Sequence, residues 1–95
     1  MLTPSPDVAS PLLDKRDWIA GLEKGLSIIE TFDEAHPRLT ASQAGERCGL
    51  TRTAARRYLL TLMHLGYVAS DGKLFWLTPR VMRLGQSYLE SARLP

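Results

Sequence analysis

Three arginines, Arg52, Arg56 and Arg57, lie close together in the stretch from Thr51 to Val68, which contains no acidic residue. A guanidinium group forms paired hydrogen bonds with phosphate oxygens and with the edge of guanine. Near a helix N-terminus arginines oppose the helix dipole, and here no Asp or Glu stands three or four residues away to pair with them. The pattern therefore indicates binding to an anion outside the chain, and it favours nucleic acid. An ordinary solvated basic face is the alternative.

The predicted contacts differ along this helix. Thr53, Ala54 and Arg56 lie in its first turns, where a recognition helix meets base edges in the major groove. Arg52 and Arg57 can reach the flanking phosphates. A shift of one residue in docking would exchange the roles of Arg56 and Arg57.

Three further residues are candidates for contact with DNA. Thr40 and Ser42, at the start of the preceding helix, can offer hydroxyl or backbone N–H groups to a phosphate, although simple helix capping is a second interpretation of both. Lys73, at the tip of a predicted hairpin, could touch neighbouring phosphates or the minor groove, with a small contribution.

The sequence predicts no enzyme, no cofactor and no metal site. It has no Ser/His/Asp set, no glycine-rich phosphate loop and no paired carboxylates. Cys48 is the only cysteine, which excludes an intramolecular disulfide, and with two histidines it makes a structural zinc site a poor fit. We therefore expect cytoplasmic residence.

Charge is distributed unevenly along the 95 residues, whose net charge is +2. Up to Ala35 there are three Lys/Arg against seven Asp/Glu, and thereafter nine against three. A concentrated basic region favours a polyanionic partner, nucleic acid before membrane. Prolines at positions 4, 6 and 11 and the lack of an apolar run predict that residues 1–17 are a mobile arm, not a signal peptide.

The elements that position these residues follow from periodicity and capping signals. Apolar residues recur at helical spacing from Gly21 to about Glu34, which predicts helix one. Thr40 with Gln43 forms a capping-box pattern that opens a short helix over 41–48, which ends at Gly49. Helix three follows over about 52–65. Two helices joined this tightly form a helix-turn-helix, and Gly45 permits their close crossing.

Beyond Gly66 the apolar period changes to two. Asp71 and Gly72 predict a two-residue type I′ turn that pairs Val68 with Phe75 and Tyr67 with Trp76. Such a hairpin after a helix-turn-helix is a wing. The fold class is therefore mainly α with a small β-hairpin, a winged helix-turn-helix over residues 18–78.

A fourth helix, over residues 79–95, is predicted from Thr78 as its cap and Pro79 at its first position. It carries an apolar stripe that must cover helix one, meet a second copy or lead into a further domain. The stripe consists of Val81, Leu84, Tyr88, Leu89 and Ala92.

Residues 18 to 95, with "GLEKGLSIIETF", "CGLTRTAARRYLLTLMHLGYV" and "DGKLFWLTPRV", closely resemble the N-terminal DNA-binding region of IclR-type bacterial transcription regulators. The run "R-x-x-A-R-R" is similar to the branch that controls catabolism of aromatic acids such as protocatechuate and 4-hydroxybenzoate. The resemblance implies a homodimer on double-stranded promoter DNA, with Arg56 and Arg57 at the DNA face. It also implies an effector domain that this chain lacks, as the DNA-binding half of a longer protein or a short member of the family.

A protein-interaction module is the alternative function. Its contact surface would be an exposed pair formed by Tyr67 and Trp76, together with the apolar stripe of the fourth helix. Loss of salt dependence in DNA binding would favour this alternative.

Overall fold

The computed structural model describes residues 13–92. Helices α1 to α4 and strands β1 and β2 follow one another in the order α1, α2, α3, β1, β2, α4, with short 3-10 turns before α1 and before α4. Their bounds are Ala20–Ile29 for α1, Ala41–Cys48 for α2, Arg52–His64 for α3, Val68–Ser70 for β1, Phe75–Leu77 for β2 and Met82–Ala92 for α4. The predicted fold class, helices with a small β-hairpin arranged as a winged helix-turn-helix, is confirmed.

The core lies where α1, α2 and α3 meet the inner face of the hairpin. Ile28 and Leu59 are its largest fully buried side chains. The other buried apolar residues are Phe32, Leu39, Ala41, Ala44, Ala55, Val68 and Phe75. Cys48 packs against this cluster, and burial raises the pKa of its thiol.

The helix-turn-helix has the predicted bounds. Thr40 and Gln43 form both hydrogen bonds of the capping box, and Gly49 ends α2 with a left-handed backbone, φ 76°. Thr51 caps α3, because its hydroxyl accepts a hydrogen bond from the amide of Ala54 at 3.1 Å. A Cβ atom on Gly45 would lie 2.6 Å from the carbonyl oxygen of Leu50, so only glycine permits this close approach.

Helix α1 ends earlier than predicted, at Ile29 and not near Glu34. The amide of Thr31 donates to the carbonyl of Ile28 at 3.1 Å, and the Thr31 hydroxyl donates to the same carbonyl at 2.6 Å. The helix therefore ends in a turn several residues before Pro37, which had been expected to end it. Ile28 is the buried residue of α1, whereas Leu22 and Leu26 are exposed.

The predicted hairpin register is wrong. Val68 pairs with Leu77, Ala69 with Trp76 and Ser70 with Phe75, so Tyr67 does not face Trp76. In place of a two-residue turn, Asp71 to Leu74 form a loop in which Gly72 has a positive φ, 102°.

The hairpin loop forms because its first side chain binds the backbone. The Asp71 carboxylate accepts hydrogen bonds from the amides of Lys73 and Leu74 at 2.9 and 2.8 Å. The observed register differs from the predicted one by two residues, and a shift of two residues leaves each side chain on the same side of the hairpin. Val68 and Phe75 therefore lie on the same side of the hairpin, and both are buried in the core.

The fourth helix begins as a 3-10 turn, Pro79–Val81, before α4. The predicted cap is present, since the Thr78 hydroxyl accepts from the amide of Arg80 at 3.3 Å. No residue of α4 is buried, and Tyr88 is 62% exposed. Within the predicted arm, Lys15–Asp17 form a 3-10 turn capped by Asp14, and residues 1–12 lie outside the described part.

Candidate nucleic-acid interface

The outer face of α3 is the cationic face that the sequence predicted. Arg52, Thr53, Arg56 and Arg57 are exposed, and Ala54 is half-buried. The opposite face carries the fully buried Leu59. The apolar arc thus fixes the helix on the core and directs the arginines outward.

These arginines have no acidic partner within residues 13–92. The ion pairs in this part of the chain join Arg16 to Asp14, and His36 and Arg47 to Asp33. None involves Arg52, Arg56 or Arg57, so their charge is available to an external anion.

A groove of about 280 Å³ brings three separate elements together. We call it the basic groove. Its lining residues are Thr40, Ala41, Ser42, Arg52, Arg56, Gly72, Lys73 and Phe75. Five predicted site residues from the start of α2, the start of α3 and the hairpin loop therefore meet at one place. Thr53, Ala54 and Arg57 lie on α3 outside its lining.

Thr40 and Ser42 differ in what remains free for a ligand. The Thr40 hydroxyl oxygen accepts from the amide of Gln43 at 3.2 Å, and the Thr40 amide donates to the Gln43 side chain at 2.9 Å. The capping interpretation of Thr40 is thus correct, although its hydroxyl proton can still be donated. Ser42 is exposed and forms no side-chain hydrogen bond with other described residues.

The tip of the hairpin carries opposite charges side by side. Hydrogen bonds from the amides of Leu74 and Lys73 hold the pKa of Asp71 below its ordinary value. The carboxylate is therefore ionised at neutral pH next to the Lys73 ammonium group, which limits the net positive charge that the tip can present to DNA.

Arg47, which sequence reasoning missed, fixes the position of α2. Its guanidinium donates to the carbonyl of Thr31 and to the carboxylate of Asp33, both at 2.8 Å. The hydrogen bond from His36, assisted by the charge of Arg47, lowers the pKa of Asp33. No local pattern in the sequence indicates this contact, because it joins α2 to the turn after α1.

Arg38 is a second missed residue. Its guanidinium carbon lies 4.1 Å from the centre of the Trp76 ring. Alternation of exposed Arg38, buried Leu39 and partly exposed Thr40 could have indicated a short extended segment beside the hairpin.

A second surface is apolar and lies on the other side of α3. An open groove of about 360 Å³, which we call the apolar groove, runs between α1, α3 and the start of α4. Its lining includes the large side chains Ile19, Leu22, Leu26, Ile29, Tyr58, Leu62, Tyr67 and Leu84. Leu22 is 63% exposed and Leu26 49% exposed. Together they contribute to a contiguous apolar patch of a kind that soluble monomers seldom leave exposed.

Other kinds of site lack support in the described part. No group of three or more His, Cys, Asp or Glu residues within 13–92 could hold a metal ion. Over the same residues, no helix combines the length and apolar character needed to cross a membrane.

Comparison with known proteins identifies relatives that are named as regulators of gene expression. Residues 21–72 match the IclR helix-turn-helix domain. The "p-hydroxybenzoate hydroxylase transcriptional activator" of Acinetobacter baylyi is 56% identical over 79 residues, which cover 83% of this chain and 29% of that protein. The "Pca operon regulatory protein" of the same organism is 45% identical over 84 residues, covering 88% and 30%.

A solved structure agrees with these matches. A crystal structure of a protein from Rhodococcus sp. RHA1 superposes with a TM-score of 0.73 and 53% identity, over 78% of this chain and 30% of that one. The chain thus spans less than a third of the length of these relatives.

Proposed function

Because the chain belongs to the IclR family of helix-turn-helix proteins, we propose that it binds duplex DNA sequence-specifically as the DNA-binding part of a bacterial transcription regulator. The observation that carries this proposal is the basic groove, where the starts of α2 and α3 and the hairpin loop converge. Because no carboxylate pairs with these cations, they do not stabilise the fold through ion pairs, which supports an external anionic partner.

In the proposed complex α3 enters the major groove. Thr53, Ala54 and Arg56 face base edges, because they occupy the first turns of the helix. Arg52 and Arg57 bind phosphates on either side. Arg56 also lines the basic groove, which supports a contact with the backbone as well as with bases.

The start of α2 and the hairpin hold the phosphate backbone. Thr40 and Ser42 offer hydroxyl and amide protons to a phosphate near the N-terminus of α2, where the helix dipole favours an anion. Lys73 approaches the same strand from the hairpin loop. These contacts set orientation and contribute no base discrimination.

The salt dependence of affinity tests the proposal. A labelled duplex, selected from a random pool by the wild-type chain, is titrated with protein at several salt concentrations and followed by fluorescence anisotropy. The logarithm of the association constant should fall linearly with the logarithm of salt, with a slope of about −0.9 for each phosphate contacted. A flat response would contradict DNA binding and would favour the protein-interaction alternative.

We infer further that the chain forms a homodimer through the apolar groove. Burial of exposed leucine and tyrosine surface on a second copy would remove it from water, and α4 extends the same apolar character through Tyr88 and Leu89. A dimer would place two α3 helices on repeated half-sites. Sedimentation equilibrium tests this, and a monomer mass with duplex bound would exclude it.

The names of the relatives point to a biological setting. One activates expression of a hydroxybenzoate hydroxylase and another regulates the Pca operon. We propose that this chain serves a regulator of aromatic-acid catabolism that acts in the bacterial cytoplasm, with effector sensing outside these residues. Protection of a promoter of a neighbouring aromatic-degradation operon in a footprinting experiment would support this setting, and protection confined to unrelated promoters would oppose it.

A further inference from the structure

An arginine and a tryptophan are stacked on the outer face of the hairpin. Leu39 forms an antiparallel bridge with Phe75, in which the amide of each donates to the carbonyl of the other at 3.0 and 2.8 Å. The bridge places Arg38, one residue earlier, beside Trp76, one residue later, on the face turned away from the core. The guanidinium carbon lies 4.1 Å from the ring centroid.

The Arg38 guanidinium forms no ion pair among residues 13–92, although its charge acts on the Asp71 carboxylate. Arg38 is exposed, and it is absent from the ion pairs and side-chain hydrogen bonds among residues 13–92. Stacking occupies one face of the guanidinium plane and leaves its N–H donors, which lie in that plane, free to point outward. The ring also restricts the side chain, so less conformational entropy is lost when a ligand binds.

Arg38 lies next to the basic groove. Thr40, two residues further along the chain, lines that groove with Lys73. The charge of Arg38 also contributes, after the amides of Leu74 and Lys73, to the lowered pKa of Asp71 at the hairpin tip. Arg38 thus stands at the end of the hairpin that faces the groove.

We propose that Arg38 binds a phosphate of the DNA duplex beside the hairpin, and that Trp76 is the positioning residue that holds its guanidinium there. This inference rests on the proposed DNA binding and adds a contact from outside the helix-turn-helix and the hairpin loop. The ligand chemistry is the phosphodiester backbone, so the contact strengthens binding without selecting bases.

Arg80 offers a matched control. Its guanidinium carbon lies 5.4 Å from the centre of the Tyr67 ring, and Tyr67 precedes β1 at the end of the hairpin away from its loop. Arg38→Ala and Arg80→Ala remove the same charge and the same kind of stacked pair. A general effect of net charge would be equal in the two variants, whereas a phosphate contact would appear only in the first.

Anisotropy titrations of the selected duplex and of an unrelated duplex measure both variants. Arg38→Ala should weaken binding by about tenfold at low salt, equally for both duplexes, and make the salt slope shallower by about 0.9. Arg80→Ala should stay near wild type in both quantities. Both variants should keep the wild-type melting temperature, because each side chain is exposed.

Two conservative variants separate charge from position. Arg38→Lys and Trp76→Leu keep a cation in reach of the phosphate, so the salt slope should stay near wild type while affinity falls by a few fold. If Arg38→Ala matched Arg80→Ala while wild type still bound with a steep salt slope, only this inference would be overturned. If the wild-type chain did not bind duplex at all, both this inference and the proposed DNA binding would be overturned.

Discussion

The two sides of α3 present opposite kinds of exposed surface. The basic groove is lined by arginine, lysine, threonine and serine side chains, together with Phe75. The apolar groove is lined mostly by leucine, isoleucine and tyrosine side chains. One helix thus supplies Arg52 and Arg56 to the first and Tyr58 and Leu62 to the second.

The physical meaning of exposure differs between the two grooves. An exposed arginine is well hydrated, so its presence on a surface is informative only because no acidic residue accompanies it. An exposed leucine costs free energy relative to a buried one, at about 25 cal/mol per Å² of apolar surface. The first surface is therefore suited to an anionic partner, and the second to an apolar one.

Removal of the arginines should produce the largest effect. Each charge-assisted hydrogen bond contributes about 1.5–3 kcal/mol, so Arg56→Ala with Arg57→Ala should weaken duplex binding more than about a hundredfold. The melting temperature should not change, since neither side chain has a partner among the described residues. Anisotropy and circular dichroism measure the two properties.

A control pair removes the same charge elsewhere. Arg80→Ala with Arg83→Ala changes two exposed arginines beyond the hairpin. If this pair weakened binding as much as the first, the comparison between the two surfaces would reduce to net charge.

Two aspartate substitutions should separate the surfaces from each other. Leu26→Asp places a charge in the apolar groove and should convert the proposed dimer to a monomer, because burial of an unpaired carboxylate costs several kcal/mol. Leu60→Asp places the same charge on the outer face of α3, 36% exposed in wild type. It should keep the dimer and weaken DNA binding by repulsion of phosphate.

Sedimentation equilibrium and anisotropy of both variants give four results. On a duplex with a single half-site, the expected pattern is loss of one property in each variant. A dimer that persists in Leu26→Asp, or dissociates only in Leu60→Asp, would assign the interface to another surface.

Glycine substitutions should show that packing is closer at the crossing of α2 and α3 than beside the apolar groove. A Cβ at Gly45 would meet backbone oxygens of Leu50 and Thr51 at 2.6 and 3.2 Å. A Cβ at Gly25 would meet only the Tyr58 ring, at 3.9 Å. Gly45→Ala should therefore lower the free energy of unfolding by about 1–2 kcal/mol, whereas Gly25→Ala should raise it by up to about 1 kcal/mol. Equal effects in thermal unfolding would show that α2 can shift.

Local signals predicted the part of the fold that builds the basic groove. The bounds of α2 and α3 follow from Thr40, Gly49 and Thr51, whose side chains or backbone act within a few residues. The helical part of the groove could therefore be assembled from sequence, whereas the hairpin loop that completes its lining could not.

Features that depend on distant or competing contacts were missed. Helix α1 ends where the Thr31 hydroxyl donates a hydrogen bond to the carbonyl of Ile28, several residues before Pro37. The hairpin register depends on the Asp71 carboxylate, which competes with the type I′ turn. The contact of Arg38 with Trp76 requires the bridge between Leu39 and Phe75, and the alternation around Leu39 does not specify Phe75 as its partner.

The smallest expected effect belongs to the hairpin loop. Lys73 lines the basic groove, but its charge stands next to the ionised Asp71 carboxylate. Lys73→Ala should weaken duplex binding by only about two- to threefold, since an exposed charge near an opposite one is largely screened. Asp71→Asn keeps an oxygen to accept from the Leu74 amide and removes the negative charge, so it should strengthen binding by a similar factor. A large loss in Lys73→Ala, measured by anisotropy at fixed salt, would mean that the loop is a principal phosphate site and that the arginines of α3 do not dominate the basic groove.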